Sequence, residues 1–421
     1  MKSTEISGVK VYNLTAGKTL PQWLTEKQRR QLRKDEDFKK RIELIQDTEF
    51  TVSSRCIKFS PDNQYLAASG MYPPLIKMFE LDQLSEKFER RLDAEVIKFD
   101  FLEDDYSKLM YMLSDNTMEF HNKGGIQCKI KTPKTGRDFT YFPSDCNVYM
   151  ATNDKIDVLN LYEGKFNDSI DIEMPINCFE KSEKYQIIFC GEEEGSVSVL
   201  DPRVGNFVSR TQVSNHLVNH LDVNGGQVSK VEVTSMAYDG NLQLLVGTSN
   251  GNILTYDIRS QNPLLSSYHQ NRMPIVKCMY HTTQNGEFSV TADASIVRFC
   301  KKSDGKLVLP LEGSKRSVIT DLAIANNSGL CVMAGDFTKL QVFYVPMLGI
   351  APKWCSFLEN LTEELEEEEG HTYDDFQFVT KKELADLGLE SLYGSQYLKP
   401  YMHGYFIHIK LYQRAVALKF V

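Results

Sequence analysis

Seven short apolar stretches recur along this sequence, and each of them ends on a large apolar residue. Consecutive anchors are 39 to 44 residues apart, except for one gap of 56 residues. The anchors are Phe79, Phe120, Leu159, Leu200, Tyr256, Phe299 and Phe343. Strand-built repeats of roughly 40 to 50 residues are typical of β-propeller blades. The spacing therefore predicts an all-β ring of seven sheets.

Each repeat has the same hydrophobic pattern of three strands. The first repeat shows it in the segments RCIKF (55–59), YLAASG (65–70) and LIKMFE (75–80). The second strand is apolar at nearly every position, which indicates burial on both faces in the middle of a stack of sheets. The gap of 56 residues is explained by an insertion at 213–232, because propeller loops tolerate insertions.

The repeats resemble WD repeats, although the resemblance is incomplete. Asp201 in VLDPR and Asp257 in TYDIR occupy the position of the WD aspartate. The tryptophan of the motif is missing, because Trp23 and Trp354 both lie outside the repeats, and the Gly-His element is also absent. We predict a seven-bladed WD40-type β-propeller over residues 51–357; another array of sheets is the alternative.

A strand near the N-terminus is a candidate for closing the ring. Pro346 and Pro352 interrupt the segment after the seventh repeat, so no further strand is expected there. The segment VKVYNL (9–14) has the pattern of a good strand. We expect residues 1–16 to supply a strand that pairs beside the one ending at Phe343, because a bare sheet edge leaves backbone groups unpaired.

Residues 17–50 differ from the repeats and predict a charged helical arm. Residues 26–41 carry eight basic and four acidic side chains, and Thr25 is a possible N-cap. One interpretation is a solvated helix along the propeller. The other is an arm that contacts RNA phosphate or an acidic protein. The candidate contact residues are Arg29, Arg30, Arg33 and Lys34.

Residues 358–421 predict an acidic linker followed by a C-terminal extension. Seven acids and no base occur at 359–369, a composition typical of a solvated or disordered linker. Thr380 and Glu383 form a possible capping box. The aromatic block 398–407 must pack either on the propeller or on a partner. Four aromatic residues are candidates for packing or partner anchors: Trp354, Phe357, Tyr401 and Phe406.

Charge and composition narrow the functional classes. The net charge of −9 argues against a whole-molecule field that attracts nucleic acid, so such a contact would need a local basic patch. We see no secretion signal and expect no transmembrane helix. None of the nine cysteines forms a CxxC pair, and most lie in apolar strand segments. Since no export signal is seen, we expect a reducing compartment and no disulfides.

The sequence shows no motif for catalysis or for a cofactor. It contains no phosphate-binding glycine loop, no GxSxG and no HExxH. His216 and His220 are four residues apart, but no third ligand is visible, so no metal site is predicted. No nucleophile, base and orienting partner can be assembled, so we expect a protein that is not an enzyme and has no cofactor.

The flanking segments carry a more specific resemblance. The strings LPQWLTEKQRRQLRKDEDFKKRIELIQDTEF (20–50), PKWCSFLENLTEELEEE (352–368) and GSQYLKPYMHGYFIHIKLYQRA (394–415) resemble the nucleolar protein 10 family. Residues 122–141 and 201–210 are similar to the same family, so the likeness extends over roughly 8–415. Members of the family usually continue into a long charged tail, whereas this sequence ends at Val421.

The resemblance implies a function that the residues alone do not. It implies a nuclear, nucleolar scaffold and assembly factor of the small-subunit processome (the 90S pre-ribosome), needed for 18S rRNA maturation and 40S subunit biogenesis. The implied partners are pre-ribosomal assembly proteins, with a contact to pre-rRNA or U3 small nucleolar RNA left open, and neither a membrane nor a small-molecule substrate. The alternative is a WD-repeat adaptor or substrate receptor that binds a peptide on the propeller face.

Overall fold

The computed structural model describes residues 2–15, 44–45, 47–216, 231–313, 317–370, 376–389, 392, 398–402, 404–408, 411–412 and 415. The chain divides into two compact units, Met1–Cys355 and Ser356–Val421. Most of the predicted arm, residues 17–50, lies outside the described residues. None of the described helices is long and apolar enough to cross a membrane.

Seven antiparallel sheets of the first unit form a closed ring. The first strand of each sheet contacts the first strand of the next sheet, and the first strand of the seventh contacts that of the first. The seven-bladed propeller that the repeat predicts is therefore confirmed. Because the first strands contact one another around the ring, they line its central channel.

The strands follow in chain order, four to a blade in blades 1 to 6. The N-terminal hairpin is β1 (Lys2–Ile6) and β2 (Val9–Asn13). Blade 1 has β3 (Ser54–Phe59), β4 (Tyr65–Gly70), β5 (Leu75–Glu80) and β6 (Ser85–Arg91); blade 2 has β7 (Val96–Phe101), β8 (Lys108–Leu113), β9 (Thr117–Asn122) and β10 (Gly125–Lys131). Blade 3 has β11 (Asp138–Phe142), β12 (Asn147–Ala151), β13 (Lys155–Asn160) and β14 (Lys165–Asp171).

The second half of the ring repeats this order. Blade 4 has β15 (Ile176–Ser182), β16 (Ile187–Glu192), β17 (Ser196–Asp201) and β18 (Asn206–Gln212); blade 5 has β19 (Val233–Tyr238), β20 (Gln243–Thr248), β21 (Asn252–Asp257) and β22 (Pro263–Tyr268). Blade 6 has β23 (Ile275–Thr283), β24 (Gly286–Asp293), β25 (Ile296–Lys301) and β26 (Leu307–Glu312). Blade 7 has β27 (Ile319–Ile324), β28 (Leu330–Gly335) and β29 (Gln341–Tyr344).

The degree of burial explains why the sequence predicts the first three strands of each blade but not the fourth. Every residue of the second strand β28 is buried, as expected for a strand between two neighbours in a radial stack. The fourth strand β14 is almost entirely exposed. The sequence pattern identifies only three strands in each repeat. It misses the fourth because an outer strand facing solvent needs no continuous apolar run.

The N-terminal hairpin completes blade 7. The sheet order is β1-β2-β29-β28-β27, so β2 takes the place of the fourth strand and β1 adds a fifth. Tyr12 is paired with Tyr344, and the backbone N–H of Leu14 donates to the carbonyl of Val342 at 2.9 Å. This is the position that the sequence suggests for residues 9–14.

Blade 6 contains a buried histidine that the sequence analysis overlooks. The His269 ring lies 2.9 Å from Asp293 Oδ2 through Nδ1 and 2.9 Å from Thr291 Oγ1 through Nε2. Asp293 also accepts hydrogen bonds from the backbone N–H groups of Ser295 and Ile296. Tyr268 and not a glycine precedes His269, so the Gly-His element is absent here as the sequence indicates, and the histidine makes these contacts without it.

The two WD-position aspartates hold the turns that follow their strands. Asp201 ends β17 and Asp257 ends β21. Each carboxylate accepts hydrogen bonds from Nε and Nη2 of an arginine two residues later, Arg203 or Arg259. These contacts support the WD resemblance at these two positions.

The second unit has its own small sheet. Its elements are α1 (Phe357–Gly370), β30 (Phe376–Thr380), α2 (Lys381–Asp386), β31 (Leu398–Tyr401) and β32 (Gly404–His408). The sheet order is β30-β32-β31. Val379, Leu384, Leu398 and Ile407 form the buried centre of this unit. The aromatic block 398–407, for which the sequence leaves two packing alternatives open, therefore contributes two strands to a local sheet.

Of the two helices of the second unit, the sequence predicts α2 but not α1. Thr380 and Glu383 form the capping box of α2, and Gly388 follows the helix with a φ of +67°. The acidic residues 359–369, interpreted from the sequence as a linker, lie instead in α1. Glutamate has a good intrinsic helix propensity, so an acidic run can form a helix although its charge alone suggests a linker.

Candidate functional site

Polar or sulfur-containing side chains recur at one position of the first strands, around the central channel. In five of the seven strands a β-bulge immediately precedes this position. A bulge re-aims the side chain that follows it, so the repeated bulge gives these residues a common placement. We call them the belt residues: Cys56, Lys98, Asp138, Cys178, Ser235, Lys277 and Asp321.

Three belt residues accept a backbone hydrogen bond from the first strand of the following blade. These bonds tie blade 3 to blade 4, blade 5 to blade 6, and blade 7 to blade 1. A buried backbone N–H group left without a partner is costly, so each bond fixes the position of the neighbouring blade. The pairs are Phe179 N to Asp138 Oδ2 (2.7 Å), Cys278 N to Ser235 Oγ (2.9 Å) and Ile57 N to Asp321 Oδ2 (3.0 Å).

Three lysines form ion pairs across neighbouring blades in the channel. Burial opposes the charge of Lys98, but Asp138 outweighs it and raises the pKa of the lysine. Asp321 likewise raises the pKa of Lys277. The ammonium groups of Lys98 and Lys277 are therefore charged at neutral pH. The pairs are Lys98–Asp138 (2.5 Å), Lys277–Asp321 (3.3 Å) and Lys58–Asp100.

Glu180 is a further acid in this region, and its environment is different. No cationic side chain of the described residues lies within ion-pair distance of it. Burial raises its pKa to about 7, and the charges of Lys98 and Lys277 offset only part of this effect. The backbone N–H of Tyr238 also donates to the carboxylate. Among the described residues, Glu180 is therefore a carboxyl group of the first strands with a pKa near neutral pH.

A cavity of about 340 Å³ opens beside these ion pairs. It is lined by residues of blades 1, 2, 6 and 7, and Pro61 and Asn326 place it at the end of the channel that holds the turns between first and second strands. A pocket of this size is in the range of small ligand sites. Its charged lining residues are Lys58, Lys98, Lys277 and Asp321.

The predicted contact residues of the arm cannot be placed. Arg29, Arg30, Arg33 and Lys34 lie outside the described residues. Their role therefore stays a prediction from the sequence.

The predicted aromatic anchors lie in different elements. Trp354 lies in the short 3-10 helix Lys353–Cys355, and its indole N–H is buried without a hydrogen-bond partner among the described residues. Phe357 begins α1 and is 39% exposed. Tyr401 ends β31, and Phe406 lies in the neighbouring strand β32. The structure therefore brings only Tyr401 and Phe406 into one sheet.

A pair of phenylalanine rings lies on the sheet of the second unit. The rings of Phe378 and Phe406 are 5.5 Å apart in a T-shaped arrangement, and Phe378 is 40% exposed. A Cβ atom at Gly404 would lie 2.2 Å from Cζ of Phe378, so glycine is needed to let this ring lie over the strand. The sequence analysis names Phe406 but misses Phe378.

The sequence analysis also misses the belt residues. They recur with nearly the spacing of the apolar anchors, but the residue type differs from blade to blade, so no sequence motif identifies them. His216, considered as a metal ligand, has its Nδ1 3.2 Å from the hydroxyl of Tyr256, and His220 lies outside the described residues. Across the described parts of the chain, no three His, Cys, Asp or Glu side chains are grouped as metal ligands would be.

Comparison with known proteins identifies the family. The family description "Nucleolar protein 10-like, N-terminal domain" matches residues 2–369, and "Nucleolar protein 10-like, second domain" matches residues 372–419. Nucleolar protein 10 of Xenopus tropicalis is 39% identical over 99% of this chain and 60% of its own length. Nucleolar protein 10 of Homo sapiens is 38% identical (98% and 60%), and ribosome biogenesis protein ENP2 of Saccharomyces cerevisiae is 35% identical (98% and 58%).

The chain thus spans about three fifths of the length of these relatives. The two family descriptions together cover the propeller and the small second unit, which are the two compact parts of the fold. The chain belongs to the nucleolar protein 10 family.

Proposed function

We propose that this protein is a non-catalytic scaffold in ribosome biogenesis and that it acts in the nucleolus. The observation that carries the proposal is the match to the family over nearly the whole chain. Relatives in this comparison are named nucleolar protein 10 and ribosome biogenesis protein ENP2. The closed ring supports the same role, because seven sheets joined into one body provide a rigid platform with several faces for partners.

The finer proposal is a place in the small-subunit processome. There the protein would hold pre-ribosomal assembly proteins together during 18S rRNA maturation and 40S subunit biogenesis. This part of the proposal depends on the resemblance of the flanking segments rather than on any contact of the described residues.

The raised pKa values of three cysteine thiols are consistent with a non-catalytic role. Burial raises the pKa of the Cys56, Cys278 and Cys331 thiols to about 12. A thiol is a strong nucleophile only as the thiolate, so these three groups are poorly reactive at neutral pH. We interpret them as small apolar packing groups.

Depletion of the protein in its cells of origin tests the proposed function. We expect a fluorescently tagged copy to concentrate in the nucleolus. On depletion, precursors of 18S rRNA should accumulate several-fold in northern blots while the large-subunit rRNA stays near its normal level. Normal 18S processing, together with loss of a peptide partner on mutation of propeller-face loops, would instead support the adaptor alternative.

The candidate contact residues belong to the same proposal. We propose that Arg29, Arg30, Arg33 and Lys34 contact RNA phosphate or an acidic partner. The candidate partner anchors are Trp354, Phe357, Tyr401 and Phe406.

Charge reversal tests the contribution of the arm. Changing Arg29, Arg30, Arg33 and Lys34 to glutamate should reduce co-sedimentation with large pre-ribosomal particles several-fold, because each lost cation removes an electrostatic contact. Sucrose-gradient sedimentation measures the effect, and circular dichroism confirms the fold. The matched control reverses Lys27, Lys39, Lys40 and Arg41, which gives the same change in net charge. Equal losses in both variants would contradict a specific role for the first set.

A further inference from the structure

The ion pairs of the central channel are oriented in a common direction. The lysine side chains of the three pairs are between 35 and 45% exposed, whereas their aspartate partners are between 10 and 21% exposed. All three lysines line the cavity of about 340 Å³, but Asp100 and Asp138 do not. Two of the pairs therefore place the lysine toward the cavity and the aspartate in the wall, and in the third pair both Lys277 and Asp321 line the cavity, with the lysine the more exposed of the two.

Two of the aspartates in these ion pairs also accept hydrogen bonds from backbone N–H groups. Asp321 accepts from the backbone N–H groups of Ile57 and Leu322 as well as pairing with Lys277. Asp138 similarly accepts from the backbone N–H groups of Phe139 and Phe179 in addition to its contact with Lys98. The backbone donors occupy acceptor positions on these two carboxylates and hold them in place beside the lysines.

The lysines keep hydrogen-bonding capacity for a ligand. An ammonium group has three N–H donors. Within the described part of the chain, Asp321 is the acceptor of Lys277, Asp100 is that of Lys58, and Lys98 contacts Asp138 and the carbonyl of Phe139. Each ammonium can therefore donate to a further acceptor placed in the cavity.

We propose that this cavity binds acidic side chains of an extended protein segment. The carboxylates of the segment would accept hydrogen bonds from the three lysines. The lining also includes Met279, Ile324 and Pro61, which favour apolar side chains next to the acids. The volume of about 340 Å³ holds a few side chains of a peptide. The proposal does not depend on the pre-ribosomal role.

Glu180 makes the binding depend on pH. It lies in the first strand of blade 4, where the charges of Lys98 of β7, Lys277 of β23 and Lys58 of β3 act on it and the backbone N–H of Tyr238 in β19 donates to it. When it is ionised, its negative charge repels an acidic ligand and weakens the attraction of these lysines for that ligand. Its pKa of about 7 means that it is mostly neutral at pH 6 and mostly ionised at pH 8. An acidic segment therefore binds more tightly at pH 6.

Fluorescence anisotropy with the whole chain tests the site. The probe is a fluorescein-labelled hexapeptide of glutamate and leucine. The double substitution Lys58→Gln and Lys277→Gln should weaken binding at least about tenfold, because two charge-assisted contacts are lost. The matched control is Lys155→Gln, which removes an ion-paired lysine of the third strand of blade 3 that is 47% exposed, and it should stay within about twofold of the unmodified protein.

A second variant keeps the test independent of folding defects in the lysine variant. Glu180→Gln leaves all three ammonium groups in place and removes the negative charge. We expect it to bind the probe several-fold more tightly at pH 8 and to lose the difference between pH 6 and pH 8. Circular dichroism melting of each variant verifies that it is folded.

Three results would overturn the proposal. The first is no binding of the probe, or equal binding by the unmodified protein and a folded Lys58→Gln, Lys277→Gln variant. The second is a pH dependence that Glu180→Gln leaves unchanged. The third is displacement of the probe by a six-nucleotide oligouridylate at lower concentration than by unlabelled peptide, because RNA would then be the preferred ligand.

Discussion

Removal of residues 1–15 is expected to lower the melting temperature of the protein by about 10 °C or more, because it uncovers one edge of blade 7. The deletion removes Val9, Val11, Tyr12 and Leu14, each at most 7% exposed. Burial of one such side chain contributes about 1.5–3 kcal/mol, so the four contribute on the order of 6 kcal/mol or more. This is comparable to the whole stability of many proteins, about 5–15 kcal/mol.

The backbone of β29 also loses its partner in this deletion. The N–H of Leu14 no longer reaches the carbonyl of Val342, and the hydroxyl of Thr15 no longer accepts from the N–H of Val342. The exposed edge then becomes a template for pairing with other chains. Thermal melting by circular dichroism measures the loss, and light scattering measures aggregation.

A shorter deletion provides the matched control. Removing residues 1–5 takes away most of β1, in which Thr4 and Glu5 are exposed, but keeps Ile6, which packs against the core, and leaves β2 in its place beside β29. We expect the melting temperature to change by about 2 °C or less, since exposed residues contribute little. Similar losses in both deletions, or no loss in the longer one, would show that β2 does not close the ring.

Substitution of Asp321 by alanine is expected to have the second largest effect. The carboxylate joins blade 7 to blade 1 through Ile57 N and also pairs with Lys277 of blade 6. Its removal leaves a buried backbone donor without its acceptor and a lysine without its counter-charge. The unpaired backbone donor costs about 1–3 kcal/mol of unfolding free energy, and loss of the ion pair adds about 1 kcal/mol or less because Lys277 is 39% exposed. Urea denaturation measures the loss.

Hydrogen exchange gives this prediction a local readout. The amide of Ile57 should exchange faster in the Asp321→Ala variant, because it loses its bond to Oδ2. The control is Asp154→Ala, since Asp154 is 63% exposed and pairs with the exposed Lys134. Surface ion pairs contribute about 0–1 kcal/mol, so this variant should remain close to the unmodified protein. Comparable effects of the two substitutions would contradict the role assigned to Asp321.

Several features of the fold follow directly from the sequence. The second strand of a blade has neighbours on both sides and on both faces, so nearly all its residues must be apolar, as in LCVMAG (330–335). This requirement acts within one short segment and recurs with each blade, which is why the repeat predicts seven of them. The capping box of Thr380 and Glu383 is equally local, because its two hydrogen bonds join residues three positions apart.

Other features depend on neighbours that a local pattern does not contain. The fourth strands, such as Lys165–Asp171, are polar and exposed, and they form because a third strand offers them an edge. The aromatic block of the second unit must be buried to some extent, but its residues alone cannot say against what. Its strand β32 pairs with β30, which lies more than twenty residues earlier in the chain.

The sequence by itself therefore determined the ring of seven blades, its closing strand and the family, since each corresponds to a residue pattern within a short segment. The tertiary structure alone decided the arrangement of the channel. A single Lys98, Lys277 or Asp321 within a strand is indistinguishable in sequence from a surface charge. Asp321 meets Ile57 across 264 residues, and only the closing of the ring brings an acceptor from the last blade to a donor in the first.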